Sequence, residues 1–355
     1  MEKKLRFDFK TAQKLFAAAA RIDQFKGKWQ QLEKKNNRYL RELRTIATIQ
    51  SIGSSTRIEG ATLSNAEVES LLKNVKVTTF KTRDEQEVAG YYEVLELILS
   101  QFAFIELSVG NIKSLHNQLL KYSDKDQRHK GAFKQFTNKV VATYPDGSQR
   151  TIFNTTEPLL TDKEMDELLD WTNRELANKD FHSLFVIAAF VYEFLSIHPF
   201  QDGNGRLSRL LSTLLLLREG YHFVQYISFE NIVERRKSDY YRSLMAGQPV
   251  RGTEAEIISE WMQFFLECLE ELIQKLDEKY ERYLTTKGYI NERQRSLLEF
   301  VRQRGVIRLP DAVQQFGDVS DRTLKRDLLL LESESLIEKT GRGKSVAYRA
   351  IKDSD

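Results

Sequence analysis

At 355 residues, 41% apolar and 30% charged, the chain is long enough for about two or three cores of ordinary soluble character. Its net charge of +3, with histidines neutral, excludes a nucleic-acid or membrane footprint spread over the whole surface and leaves a local one open. A single cysteine, Cys268, excludes an intrachain disulfide framework and a Cys-ligated zinc site, and predicts a reducing, cytoplasmic setting.

In chain order, Met1 to Asp8 lacks the apolar core of a signal peptide. Thr11 to Ile22 and Trp29 to Ile49 read as helices with a solvated charged face, and Gln50 to Gly60 as a helix ending at Gly60 as a C-cap. Ser64 and Glu67 form a capping box that starts another helix. Helices follow over Glu85 to Ser100 and Val109 to Leu120. His116, in the latter, has no partner motif and reads as structural, like His129, His182 and His222. From Gly131 the periodicity changes. Two β-prone runs, Phe133 to Tyr144 and Ser148 to Phe153, flank the turn Pro145-Asp146-Gly147 and predict a hairpin. Phe181 to Ile197 is the most membrane-like run, but it is shorter than the roughly 20 residues of a span and contains His182 and Glu193, so it reads as a core helix.

Between that helix and the apolar run Leu210 to Leu217 lies His198-Pro-Phe-Gln-Asp-Gly-Asn-Gly-Arg-Leu-Ser-Arg209, a polar loop opening a buried helix. Gly203 and Gly205 let the backbone approach a ligand, and the free N–H groups at the helix start form an anion site suited to a polyphosphate. Arg206 and Arg209, three apart, share a face on which guanidinium forks can bind phosphate oxygens. Asp202 is a hard oxygen ligand placed for a Mg²⁺ shared with substrate phosphates, and His198 is the nearby group that titrates close to neutral pH, hence the candidate general base. Pro199 and Phe200 read as the stiffener and core anchor of the turn.

His-Pro-Phe-x-Asp-Gly-Asn-Gly-Arg-x-x-Arg resembles the signature of the Fic family, with every signature position filled. The resemblance spans about 50–265 and implies transfer of AMP from ATP to a protein hydroxyl. In that picture His198 takes the proton from a target Ser, Thr or Tyr, and Asp202 holds Mg²⁺, with Mn²⁺ as an alternative. Asn204 and the backbone of Gly203 to Gly205 cradle the phosphates, Arg206 binds them from the helix, and Arg209 holds the γ-phosphate. It also implies that Ser55-x-x-x-Glu59-Gly60 is an inhibitory helix motif whose glutamate pairs with Arg209 and displaces the γ-phosphate. Further, the hairpin becomes a flap that aligns the target segment, and Tyr240 and Tyr241 resemble a Tyr-Tyr pair near the adenine, with half-buried packing as the competing role.

Glu230 to Leu244 reads as a helix and Glu254 to Arg282 as a long helix leading to a domain change near Thr285 to Tyr289. Beyond it, helices over Glu292 to Gln303, Leu309 to Phe316 and Ser320 to Leu331, then a strand, a basic turn and a strand, resemble a winged helix. Arg322, Lys325 and Arg326 would lie on its recognition helix, and Arg342 and Lys344 on its wing. Thirteen basic and eleven acidic residues from Asn291 onward leave only +2, so protein contact or homodimerisation competes with DNA binding.

The fold expected is mainly α: a Fic-type helical core (101–285) with a β-hairpin flap, an N-terminal helical region (1–100) carrying the inhibitory helix at about 50–60, and a C-terminal winged helix of α+β type (286–355). The function expected is an autoinhibited protein adenylyltransferase acting on an unknown target protein, itself included, with no membrane partner. The rivals are an enzyme on the same scaffold that uses another nucleotide or removes AMP, and an ATP-sensing transcriptional regulator.

Overall fold

Residues 2–34, 38–73, 80–143, 149–285, 292–334, 336–341 and 346–351 are described in the computed structural model. Helices carry most of the chain, and the strands form one two-stranded and one three-stranded sheet among the described residues. Two compact units result, residues 1–32 with 44–276 and residues 33–43 with 277–355. The expected division at residue 100 falls inside the first unit, so the helices preceding it share a core with those that follow.

The first unit is built around α7 (Ser183–Ile197), which is apolar on every side and buried from Leu184 to Ile197. A helix without a polar face has to be surrounded, and α6 (Pro158–Asn178) and α8 (Asn204–Arg218) both pack on it. Against α8 also lie α4 (Arg83–Gln101) and α5 (Val109–Leu119). Gly90 lets α4 approach α5 closely: a Cβ there would stand 2.0 Å from the Leu119 carbonyl oxygen. The sequence reading did not single out α6, which starts with Pro158 in its first turn, where a missing N–H costs nothing.

Boundaries differ upstream. Helix α1 runs unbroken over Phe9–Glu33 because Leu15, Ala18, Ile22, Phe25 and Trp29 recur on one buried face, and α2 covers Arg38–Ile58. Gly60, at φ +104°, follows the end of α2, and the Ser64/Glu67 box forms and opens α3 (Asn65–Lys73). The expected helix over 230–244 is two, α9 (Phe229–Arg235) and α10 (Lys237–Met245), broken at Arg236, whose guanidinium is drawn to Glu267 at 2.8 Å. Helix α11 spans Ser259–Thr285.

The hairpin forms as expected, β1 (Lys139–Thr143) antiparallel to β2 (Gln149–Asn154), with a bulge between Val140 and Val141. Its Pro145-Asp146-Gly147 turn lies outside the described residues. Among those residues no helix is long and apolar enough to cross a membrane.

In the second unit, α12 (Glu292–Arg304), α13 (Leu309–Gln315) and α14 (Asp321–Ser333) pack with an antiparallel sheet of order β3-β5-β4. The strands are β3 (Val306–Ile307), β4 (Ile337–Thr340) and β5 (Ala347–Ala350). The strand β3, not anticipated, is two residues long, too short for an alternating pattern. Leu297, Val301, Leu324, Leu328, Leu331, Ile337 and Tyr348 form the core, and Ser320 caps α14 by accepting from the Thr323 N–H. Asp327 is buried but satisfied by Arg293 and Gln294, each at 2.7 Å.

Candidate active site

The predicted loop turns from the end of α7 into α8. His198 follows Ile197 as the C-cap of α7, in the left-handed region at φ +53°, and Gly203 precedes α8 at φ +80°. Only the second is easy for its residue type, so the turn must be held from outside. Part of the hold is Asn204: its Oδ1 accepts from the Phe200 N–H at 2.8 Å and its Nδ2 donates to the Phe200 carbonyl at 2.7 Å. The side chain assigned to phosphate is thus spent on bracing the loop, and what Asn204 offers a ligand is its main-chain N–H in the first turn of α8.

His198 Nδ1 lies 3.2 Å from the Leu195 carbonyl oxygen. A carbonyl only accepts, so Nδ1 carries the proton and Nε2 keeps its lone pair. Burial, reinforced by the charge of Lys134, pulls the imidazole down to about 4, against the opposing influence of Leu195, Glu59 and Asp202. The ring is neutral at pH 7. It lines a cleft of about 230 Å³ together with Glu59, Lys139, Asp202, Gly205 and Tyr241.

Arg206 is buried on the first turn of α8, with Nη1 3.1 Å from Glu87 and Nη2 3.2 Å from Asp202. Arg209 is buried too: its Nε donates to Ser55 Oγ at 2.7 Å and its Nη2 to the Ser55 carbonyl at 3.0 Å and to Glu59 Oε1 at 2.7 Å. Burial alone would pull Arg209 down, but Glu59 holds it above its ordinary value. Nε of Arg206 and Nη1 of Arg209 make no hydrogen bond, whereas Arg206 Nη1 faces the Glu87 carboxylate. Buried donors of this kind are costly unless something accepts from them, and a phosphate oxygen would.

Glu59 also lies over the start of α8, where a Cβ on Gly205 would stand 2.1 Å from its Oε1. A carboxylate therefore occupies the anion site at the helix terminus. The cleft is accordingly smaller than the roughly 300–1,000 Å³ usual for small-molecule sites.

Asp202 faces cations. Its Oδ2 accepts from Lys125 at 2.6 Å, its Oδ1 from the Gly203 N–H at 2.6 Å, and Arg83 stands 3.8 Å away. Burial opposes ionisation, yet Arg206 and Lys125 outweigh it and hold the carboxyl well below the usual range. Tyr240 and Tyr241 both line the cleft, with Tyr240 buried against Trp261 and Phe264 and Tyr241 half-buried.

Sequence reasoning missed four positions of the site. Glu87 and Lys125 orient Arg206 and Asp202. His116 is structural, as expected, but at the site itself: it stacks on Phe200, its Nδ1 accepts from Gly131 N–H at 2.9 Å, and its Nε2 therefore donates to the Asp202 carbonyl at 2.9 Å. Lys134 lies beneath the turn. None of these belongs to a local pattern, so no signal in the sequence marks them. In the second unit Arg322, Lys325 and Arg326 are exposed on α14, as a recognition helix requires, and Arg342 and Lys344 lie outside the described residues.

Two buried helices joined by an anion-binding loop with an adjacent imidazole, followed by a helix-turn-helix unit, define the class. Residues 106–216 match the Fic/DOC family and residues 293–346 the DeoR-like helix-turn-helix domain. It is similar to "Protein adenylyltransferase Fic" of Drosophila willistoni, 29% identical over 67% of this chain and 43% of the relative, and to that of Drosophila grimshawi, 30% identical over 67% and 44%. The chain thus spans less than half the length of these curated relatives. Its fold is similar to a Fic family protein of Desulfovibrio desulfuricans, with TM-score 0.64, 22% identity and 99% of each chain covered. It is also similar to Fic-1 of C. elegans, with TM-score 0.59, 20% identity, and 76% of this chain and 74% of that one covered.

Proposed function

We propose that the chain is a protein adenylyltransferase, which transfers AMP from ATP to a Ser, Thr or Tyr hydroxyl of a protein, itself included, and which its own helix α2 holds in check. The observation that carries this reading is His198, a neutral imidazole with Nε2 available in a cleft at the α8 N-terminus, next to buried guanidinium donors lacking an acceptor. The names of the Drosophila relatives point to the same chemistry.

In this reaction the target oxygen attacks the α-phosphorus as Nε2 takes the hydroxyl proton, and the bond to the bridging oxygen breaks to release pyrophosphate. The N–H groups of Asn204 and Gly205 with Arg206 and Arg209 bind and orient the phosphates, so positioning and charge neutralisation dominate. Among the described residues no group of three or more His, Cys, Asp or Glu side chains is placed to hold a metal. A Mg²⁺, or Mn²⁺ in its place, would rest on Asp202 and draw its remaining oxygens from nucleotide and water. The seat fits, since Asp202 is ionised and the cation at its Oδ2 is Lys125, on a flexible half-exposed arm. Bound there, the ion would neutralise phosphate charge. Glu59 would compete with the terminal phosphate for Arg209 and the α8 N-terminus, which makes α2 the inhibitor. The single cysteine fits a reducing, cytoplasmic setting.

A second reading draws on the helix-turn-helix match and exposed Arg322, Lys325 and Arg326: an ATP-sensing transcriptional regulator. Under it, duplex DNA binding should show a steep salt slope that changes with ATP. Protein contact or homodimerisation through residues 286–355 predicts neither.

The deciding test incubates wild type, Glu59→Gly and Glu59→Gly/His198→Ala with ATP and a divalent cation and records intact mass. A gain of one AMP, larger in Glu59→Gly and absent from the double variant, is expected. A gain that persists without His198 would remove the mechanism, and equal gain in wild type would remove the inhibitory role of α2. A melting-temperature scan across nucleotides separates ATP from another donor.

A further inference from the structure

Lys134 stands between α5 and β1 and is 4% exposed. Its Nζ donates to Asn138 Oδ1 at 2.9 Å, Thr155 Oγ1 at 2.9 Å and the Ile197 carbonyl at 2.8 Å, so all three of its protons are used. Its main-chain N–H donates to the Pro199 carbonyl at 2.8 Å. Asn138 continues the grip: its amide donates to the Phe200 carbonyl at 2.7 Å and the His198 carbonyl at 3.3 Å.

These contacts join three separate segments. One is the entry to β1, the second the exit of β2, and the third the turn on which His198 sits at φ +53°. A bulky residue keeps a left-handed backbone only where its surroundings over-determine it, and here the carbonyls of residues 197, 198, 199 and 200 are all clamped by Lys134 and Asn138. Among the described residues no acidic side chain touches the ammonium, and Glu157 and Glu164 act on it only through space. The charge is directed at two neutral side-chain oxygens of the hairpin ends, on Asn138 and Thr155, and at the Ile197 carbonyl that leads into the turn.

We propose that Lys134, with Asn138, is a positioning residue that couples the β1–β2 hairpin to the His198 turn and holds the imidazole in the conformation that presents Nε2 to the cleft. This rests on the reading of His198 as the base. A target segment aligned on the hairpin and the base that deprotonates it are then set in register through one buried ammonium.

The test places Lys134→Met, Lys134→Arg and Asn138→Ala in the full-length Glu59→Gly chain. It measures transfer kinetics, ATP affinity by calorimetry, and amide hydrogen exchange over residues 134–140 and 196–201. Lys134→Met should lower kcat about 100-fold, the scale of a base displaced by roughly 1 Å, while ATP affinity stays within about twofold. Exchange of the turn should quicken about tenfold with α8 protection unchanged, and Lys134→Arg, which still donates, should recover most of the rate. Asn138→Ala, which opens no buried gap of comparable size, should cost about tenfold and serves if Lys134→Met does not fold. An unchanged kcat, or a parallel loss of ATP affinity, would overturn the proposal. If the Glu59→Gly parent transfers nothing, the enzymatic reading fails, and the exchange data alone decide this one: unchanged exchange of the turn in Lys134→Met and Asn138→Ala overturns it.

Discussion

Two histidines share the candidate site and do different work because of what their Nδ1 atoms meet. His198 Nδ1 donates to a carbonyl and leaves a basic Nε2, whereas His116 Nδ1 accepts from an amide and its Nε2 donates to the Asp202 backbone. Burial lowers both to about 4, from an ordinary value of 6.5. Between pH 6.5 and 4 the unfolded chain therefore binds protons that the native one refuses, and stability falls as pH falls through that window, by up to about 3 kcal/mol for the fully buried His116. Asp202, held low by its cations, acts in the same sense at lower pH: its contribution is present above about pH 4 and is lost on further acidification. Urea midpoints at pH 7, 5 and 4 check this. His116→Gln should flatten the decline between pH 6.5 and 4, and equal slopes would show that His116 does not cause it.

At the scale of elements, the C-terminal end of α2 is latched as well as aimed. Arg57 makes a bidentate pair with Glu234 of α9 at 2.6 and 2.9 Å and donates to the Leu63 carbonyl at 2.9 Å, while Lys237 of α10 donates to the Ile58 carbonyl at 2.8 Å. Neither latch touches the cleft directly. Removing a partly buried charge-assisted pair costs about 1.5–3 kcal/mol. Arg57→Ala should accordingly raise basal transfer roughly tenfold without changing the maximal rate of the Glu59→Gly variant. A double-mutant cycle with Glu234→Ala should show the two changes to be non-additive. Additive effects, or a basal rate that stays put, would mean that Glu59 is held by α2 itself and not by its latch.

For the whole molecule, the partition into units frames the last expectation. The C-terminal unit has its own core of Leu297, Val301, Leu324, Leu328 and Ile337. The residues it takes from the N-terminal part are few: Tyr39 stacks on Tyr283 with centroids 4.1 Å apart and donates to the Lys279 carbonyl at 2.9 Å. Truncation after residue 285 keeps Tyr39, Lys279 and Tyr283 together. The truncated chain should retain the calorimetric transition of the first unit and, if the proposed function holds, its AMP transfer in the Glu59→Gly background. Loss of that transition would show that the core around α7 depends on residues beyond 285.

The sequence by itself determined the mainly helical class, the loop between two buried helices, the capping box at Ser64, the hairpin and the helix-turn-helix pattern. Each of these is written in periodicity, in turn chemistry or in residues close together in the chain. Tertiary structure alone decided that Asn204 braces Phe200, that Tyr240 is buried and Tyr241 half-buried, and that α9 and α10 part at Arg236. It alone brought Glu87, His116, Lys125 and Lys134 to the loop, from 63 to 119 positions upstream of the residues they meet there. The reason is physical: a buried charge is specified by the partner that satisfies it. When that partner comes from another helix, no local pattern records the pair.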